Sequence, residues 1–488
     1  MSSRTVKWLL LASVLLIAFP VVAGASTARV AGLGIQGDYI KDYTGIYTYL
    51  SEVSCVGNLV YGELGNWESD ANTDDRAVGA VVGNLFDGKF GTFAIHLREE
   101  TSQLGSGDAN TPPGAGYDSW DPNSNTEHAF ELMWGKKLGS LSVGLQMNRS
   151  YARIQGDPTI WDGYYGPWND MKGDVWEASY GDPEALNYNR NVLGFGGGLG
   201  FEVSPTLSVE GSILFQSRTF MAKDTLYDKH MFLGNFNEEG LTAGQKWEND
   251  GSAAYLMAGR AMWQAQPTLL VVPVFKYYSF TMDPKAEFYV PDSLFSTRAV
   301  KYAYTPLEDH RSGWQIGLAG NWTLNQNDLF VLGATVAGNQ ETDKYRNVIA
   351  TVNYTTDDVS YSAPYVSSDY KYTESMMPLV FAALETHVNS WLTLRFGAQQ
   401  GAFYTYKYEE KHFDSDGVLT SHNKTTEHYS PFSMMLGAGF KFGNLQLDAT
   451  VNPDFVHNGP YFITGETTGQ SGESSGSMFP KVTATYSF

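Results

Sequence analysis

The chain of 488 residues contains one cysteine, Cys55, so no disulfide can form within it in an oxidising compartment. That thiol reads as buried and inert. Beyond Val22 no run of about 18 apolar residues occurs, which excludes a helical membrane protein. There is no zinc-protease helix motif, no nucleophile elbow, no phosphate loop and no Cys/His spacing suited to a metal. No catalytic residue, no metal site and no cofactor is therefore expected. The nine histidines are scattered. His96 and His387 fall on inward strand positions, as polar lumen residues would. His412, His422 and His428 gather around one connection and would make at best a weak surface metal site. Positive charge is also scarce: 32 Lys+Arg stand against 53 Asp+Glu, a net charge of −21. Such a balance repels phosphate and argues against nucleic acid as a partner.

What is present begins with Arg4 and Lys7, then the apolar run Trp8 to Val22, then Ala23-Gly24-Ala25. These are the parts of a secretory signal peptide, so residues 1–25 are expected to be removed, with the mature chain starting near Ser26. An exported chain without an apolar helix can enter a membrane only as a closed barrel, because only helices and barrels satisfy their backbone there. Hydrophobic residues at 42% and aromatics at 14% suit a wall in which every second residue faces lipid.

The last ten residues, 479–488, alternate strictly. Pro480, Val482, Ala484, Tyr486 and Phe488 form one face; Lys481, Thr483, Thr485 and Ser487 form the other. A strand that ends on a terminal Phe resembles the final strand of Gram-negative outer-membrane β-barrels. The resemblance implies that Tyr486 and Phe488 belong to the signal read by the barrel-assembly machinery. It also implies an outer membrane of lipid and lipopolysaccharide as the protein's surroundings.

Seven short connections join alternating runs: Asp87-Gly88, Gly139-Ser140, Ser204-Pro205, Gln266-Pro267, Asn325 to Asp328, Asn389-Ser390 and Gly443-Asn444. They define strands at 76–86, 89–100, 126–138, 141–154, 190–203, 206–220, 251–265, 268–282, 311–324, 329–342, 370–388, 391–409, 426–442 and 445–455. The runs 56–64 and 478–488 bring the total to about 16 (14–18). Short turns alternate with long connections at 65–75, 101–125, 155–189, 221–250, 283–310, 343–369, 410–425 and 456–477. Short periplasmic turns, long external loops and an even count describe an all-β, antiparallel, up-and-down transmembrane barrel.

The strands show two faces. In 206–220, Leu207, Val209, Ile213 and Phe215 oppose Ser208, Glu210, Ser212, Gln216 and Arg218. In 391–409, an apolar phase running from Leu392 through Ala402 to Tyr404 and Tyr406 opposes Arg395, Gln399, Thr405, Lys407 and Glu409. Arg149 falls on the apolar phase of 141–154, which requires a bulge or a position above the membrane. A Lys or Arg on the lipid face near the midplane costs about 2–4 kcal/mol. The charged positions expected to line the lumen are His96, Arg98, Glu131, Glu202, Glu210, Arg218, Arg260, Lys276, Arg395, Lys407, Lys441 and Asp448. The eight long connections hold 34 Asp+Glu and 11 Lys+Arg, so the excess negative charge is external. Asp70 with Asp74 and Asp75, Asp357 with Asp358, and Asp414 with Asp416 are candidate Ca²⁺ contacts, although none completes a loop-ligand pattern.

Residues 26–55 differ in kind from the barrel at 56–488. Ala31, Gly32, Gly34, Gly37 and Asp42 match an Ala-rich Gly-x-x-Gly stretch leading to an Asp. This segment resembles the one that opens FadL-like transporters of hydrophobic compounds, although Tyr49-Leu50-Ser51 stands where that family has Asn-Pro-Ala. The resemblance implies a hatch folded inside the lumen, with Gly32, Gly34, Gly37 and Asp42 in the plug; the other reading is a periplasmic tail.

The function expected first is passive diffusion of small solutes through a porin-like channel, with mild cation preference from the acidic vestibule. The alternatives are a gated FadL-like transporter of hydrophobic or aromatic compounds and a structural or adhesive surface barrel. In the transporter reading, Trp161, Tyr164, Tyr165, Trp168 and Trp176 form an external capture site. The solute and the oligomeric state are not legible in the sequence.

Overall fold

A computed structural model describes residues 26–65, 76–83, 85–100, 127–156, 186–227, 242–283, 285–291, 299–305, 307–347, 350–353, 358–451 and 479–488. The expected signal peptide, the aromatic loop residues Trp161 to Trp176, and Asp70, Asp74, Asp75 and Asp357 lie outside these.

The alternation read from the sequence becomes a wall. Its first strands are β1 (Leu59–Leu64), β2 (Ala77–Val82), β3 (Thr92–Glu100), β4 (Glu127–Leu138), β5 (Leu141–Gly156), β6 (Leu186–Ser204), β7 (Leu207–Tyr227), β8 (Thr242–Gln266) and β9 (Leu269–Met282). A hairpin, β10 (Lys285–Pro291) and β11 (Ala299–Tyr304), then extends the sheet outward from β8. The wall resumes with β12 (Leu307–Thr323) and β13 (Asp328–Asn347). A separate hairpin, β14 (Ala350–Asn353) and β15 (Asp358–Tyr361), precedes β16 (Tyr365–His387) and β17 (Leu392–Gly401). A second outward hairpin follows, β18 (Tyr404–Phe413) and β19 (Leu419–Tyr429). β20 (Phe432–Phe442), β21 (Leu445–Val451) and β22 (Val482–Ser487) complete the ring. β22 pairs with β21 on one side and β1 on the other, Leu59 to Leu64 matching Ser487 to Val482. Every pairing is antiparallel, and the closed wall has 16 strands.

Exposure separates the faces. In β7, Val209, Ile213 and Phe215 are 41%, 57% and 43% exposed, whereas Ser212 and Gln216 between them are 5% and 1%. Equivalent apolar side chains (Leu132, Leu145, Phe195, Ile316, Leu318, Leu394) make a belt around the outside. A closed ring with an apolar exterior and a polar interior is an outer-membrane barrel. No helix among the described residues is long and apolar enough to cross a membrane.

Three details differ from the sequence-based expectation. The run 391–409 is interrupted at Ala402-Phe403, where β17 gives way to β18. Arg395 lies opposite Glu385 on the inner phase of β16, and Tyr404, Tyr406 and Tyr408 lie opposite Met376, Glu374 and Tyr372 on that same phase. The interruption thus moves the tyrosines to the inner face and Lys407 to the outer one. Likewise 426–442 breaks at Ser430-Pro431, and 410–425 is mostly strand, with a tight turn in which Asp414 N–H donates to the Val418 carbonyl. No bulge accompanies Arg149: it keeps unbroken register with Leu193 and is exposed on the outer face midway along β5, two residues short of Tyr151.

Because β22 supplies both edges of the closure, deleting residues 479–488 leaves two unpaired edges in lipid, each unsatisfied backbone group costing several kcal/mol. The truncated chain is expected to be lost as aggregate or degraded protein; Phe488→Ala is expected only to slow assembly. Heat-modifiable migration on a denaturing gel checks both. A folded truncated species in the membrane would contradict the closure.

Candidate functional site: the lumen and the segment inside it

The segment 26–56 is short of regular structure yet almost wholly buried. Helix α1 (Thr27–Leu33) starts at Ser26, whose hydroxyl accepts from Arg29 N–H, and stops at Gly34, which takes the left-handed conformation at φ 58°. Three 3₁₀ turns follow, Gly37–Tyr39, Tyr43–Tyr47 and Leu50–Cys55. Asp42 caps the second by accepting from Thr44 N–H at 2.9 Å.

The segment reaches every strand of the ring. Helix α1 packs on β16, β17, β20, β21 and β22. The turn at Tyr39 packs on β9 and β12, and the Tyr39 hydroxyl bonds Thr335 of β13 at 2.7 Å. The turn 50–55 packs on β3 to β7. Tyr47 bonds Tyr61 of β1, and Val81 of β2 joins Tyr47 and Val53 in one apolar cluster. Arg260 supplies the contact from β8: its guanidinium lies 4.0 Å over the Tyr49 ring.

Charge fixes the segment in place. Arg29 pairs with Glu385 at 2.7 Å; Glu385 also takes Arg395 at 2.6 Å, and Arg395 takes Asp448 at 2.7 Å. Ser26 Oγ donates to the other Asp448 oxygen at 2.8 Å. Lys276 and Asp38, both fully buried, pair at 2.6 Å. Arg260 holds Glu52 at 2.5 Å and Glu210 at 2.6 Å. Burying these charges is tolerable only because each finds a partner.

Glycines on the wall make the remaining room. A Cβ at Gly144 would overlap the Leu50 carbonyl oxygen, and one at Gly397 the Leu33 carbonyl oxygen. Gly437 lies against Gly32 backbone to backbone, its Cβ position 3.0 Å from the Gly32 Cα. The wall is thus cut to the outline of the segment.

The expected lumen residues sort by height. His96, Arg98, Glu131, Glu210, Arg260, Lys276, Arg395 and Asp448 line the inner face at the level of the segment, and His96 pairs with Glu131 at 3.1 Å. Glu202, paired with Lys137, and Lys441 are exposed at the periplasmic mouth. Arg218 keeps register opposite Val192. Lys407 lies on the outer face. Gly32, Gly34, Gly37 and Asp42 all lie inside the barrel. The ligands that sequence reasoning missed are Arg29, Asp38 and Glu52. Their signal was available: three charges set among tyrosines and aliphatics in a segment of low charge.

Above the segment the inner face changes character. Leu214, Ala254, Leu256, Tyr278 and Phe280 form a buried apolar patch. Beyond it, on β12, β13, β16, β18 and β19, six carboxylates (Asp309, Glu341, Asp343, Glu374, Glu410, Glu427) face the interior with one guanidinium, Arg311. Tyrosines stand between them: Tyr372 and Tyr408 have centroids 5.0 Å apart, Tyr404 and Tyr429 4.4 Å. Asp309, Glu341 and Asp343 could present oxygens within 4.8 Å of one another to a cation, but Arg311 already pairs with Asp309 at 2.9 Å and Glu341 at 3.3 Å. Partial burial, with Asp309 and Glu341 alongside, pushes the Asp343 carboxyl up to about 8.

The three clustered histidines do not converge. His412 pairs with Glu410 on the inner phase, whereas His422 pairs with Glu409 on the outer. His428 bonds Thr405, also on the outer phase. His387 is exposed and bonds Thr393 at 2.7 Å. Asp414 caps its own turn, accepting from Asp416 and Val418 N–H. Cys55 is exposed, not buried; it ends the segment where the chain turns into β1.

Among known proteins, no family model and no curated sequence matches the chain. Solved structures with a similar course include the toluene transporter TbuX of Ralstonia pickettii, at 11% identity and TM-score 0.33, covering 96% of this chain and 99% of that one. A FadL homologue of Pseudomonas aeruginosa gives 12% identity and TM-score 0.35, covering 95% and 98%. The toluene transporter TodX of Pseudomonas putida gives 9% and 0.34, covering 95% and 96%. At these scores the neighbours decide nothing about this chain, whose fold is read from its own closed circuit of strands.

Two outcomes are expected. Gly144→Val or Gly397→Val should loosen the segment, at a cost of about 1–3 kcal/mol for overpacking, while leaving the barrel heat-modifiable; protease sensitivity confined to residues 26–56 is the readout. The raised Asp343 carboxyl keeps its proton in the folded state up to about pH 8, whereas the unfolded chain releases it near pH 4. Stability should therefore fall as pH rises through that window, and Asp343→Asn should flatten the fall. Thermal midpoints at pH 5 and pH 9 check the sign.

Proposed function

We propose that the protein is a gated outer-membrane channel for small hydrophobic or aromatic solutes, with residues 26–55 as its gate. The observation that carries this reading is the contact of the segment with all sixteen wall strands in the periplasmic half of the lumen. A solute would meet the tyrosine-lined mouth first, then the apolar patch around Phe280, then the segment. Neutral aromatic solutes suit the tyrosines and the patch, since both offer ring faces and aliphatic carbon. The acidic mouth gives any water-filled opening a mild preference for cations.

The pairs to Glu385, Lys276 and Arg260 set how the gate can move. Removing one partner of a buried pair costs about 3–5 kcal/mol, so lifting the whole segment at once would strand several wall charges. A local displacement, with water taking over one pair at a time, is the affordable route. A steadily open porin is the competing reading and needs an aqueous path beside the segment.

Conductance separates the two. In planar bilayers the full chain is expected to show little steady current, and a variant lacking residues 27–55 a steady open level. Arg29→Ala should give flickering openings between those limits. Uptake of a small aromatic hydrocarbon into liposomes by the closed wild type would complete the case. A steadily open wild type would refute the gate, and anion selectivity of the opened variant would refute the cationic preference.

A further inference from the structure

The external part of the wall is a sheet with two electrically different faces. Its inner face holds six carboxylates and one guanidinium. On the outer face of the same strands lie Lys344, Arg346, Lys371, Lys407, Lys411 and Lys424, against the carboxylates Glu308, Asp369 and Glu409. The chain as a whole carries −21. A surplus of positive charge on one side of a single sheet, backed by acid on the other, is a sorting that solvation alone does not require.

The position of this strip fits one kind of partner. Directly below it the outer face turns apolar: Phe403 is 73% exposed, Phe432 62% and Met377 46%. Lys407 is four residues beyond Phe403, and Lys371 is six residues beyond Met377 toward the outside. At about 3.3 Å per residue and a tilt near 40°, four residues climb roughly 10 Å above the hydrocarbon edge. The headgroup layer occupies about 5–8 Å on each side of the core, so Lys407 stands just above it and Lys371, roughly 15 Å up, stands further out; a lysine stem leaning back toward the membrane brings the ammonium down toward that layer. Lys371 and Lys407 are exposed and, among the described residues, make no ion pair, although Glu409 is the cross-strand partner of Lys371 and Asp369 lies two residues along the same face. Glu409 is shared by Lys411 at 3.0 Å and Lys424 at 3.4 Å, so it cannot neutralise both. Arg346 is held by Glu308 at 2.6 Å, which aims its guanidinium along the same face.

We propose that this strip, centred on Lys371 and Lys407, docks the phosphate groups of the outer leaflet's lipopolysaccharide. The ammonium groups act as point charges at the level where the phosphates lie, and the exposed Phe403 and Phe432 rest on the acyl chains beneath them. The acidic inner face is kept from those phosphates by the sheet itself. The proposal is independent of the gate: a barrel that conducts steadily could carry the same strip.

The test uses the full chain in detergent and three probes: lipopolysaccharide, the same lipid after removal of its phosphates, and inorganic phosphate. Binding is followed by the shift in thermal midpoint on titration. The wild type is expected to bind the phosphorylated lipid at least tenfold more tightly than the dephosphorylated one, with the difference shrinking as salt rises. The double variant Lys371→Glu with Lys407→Glu should lose at least tenfold toward the phosphorylated lipid only. Lys371→Gln with Lys407→Gln, a milder change, should lose less, and keeps the test alive if charge reversal prevents folding. Lys441→Glu, at the opposite mouth, should behave as wild type. Equal binding of the two lipids, an unaffected Gln variant, or inorganic phosphate binding as tightly as the lipid would each overturn the proposal.

Discussion

Everything in this protein hangs on the pairing of β22 with β1. In lipid, a backbone N–H or C=O has no water to turn to, so a sheet must either close or stay out. Six matched positions, Leu59 to Leu64 against Ser487 to Val482, accomplish the closure. Once the ring exists, each strand has a defined inside and outside, and the alternation of the sequence acquires meaning. Belt, lumen and external sheet are the same period-2 pattern read at three heights.

That pattern made much of the fold legible beforehand. Turn residues such as Gly139-Ser140 and Gly443-Asn444 marked the strand ends, and segregation of short from long connections fixed the parity. The charges at Arg260, Lys276, Arg395 and Asp448 could be placed inside because the lipid face excludes them. What stayed hidden followed from the limits of a local reading. The slip at Ala402-Phe403 inserts no turn residue, and both side chains suit either face, so the phase of Lys407 and Tyr404 came out reversed. The wall glycines were invisible as a set. A glycine is compatible with both faces, and only the three-dimensional outline of residues 26–56 shows that Gly144, Gly397 and Gly437 lie under carbonyls and a Cα of that segment.

The partners of the segment were hidden for a different reason. Arg29 to Glu385 spans 356 positions in sequence, and nothing local links them. Their relation is one of charge conservation inside a low-dielectric space, where each buried ion calls for a counter-ion somewhere on the wall. The sequence shows that the inner charges are mixed in sign, and the structure shows the pairing that lets them be there together.

The segment is joined to β1 by only Gly57 and Asn58, and that connection has a consequence for how the molecule comes into being. The filling is made before its container: residues 26–56 precede all the strands that surround them. β22, the last strand made, is the one that shuts the ring. Synthesis order thus makes the segment available to the strands before β22 can close the ring around it. The small inward faces of β5, β6, β17 and β20 match the outline of residues 26–56, so that occupant and wall fit whichever of them settles first.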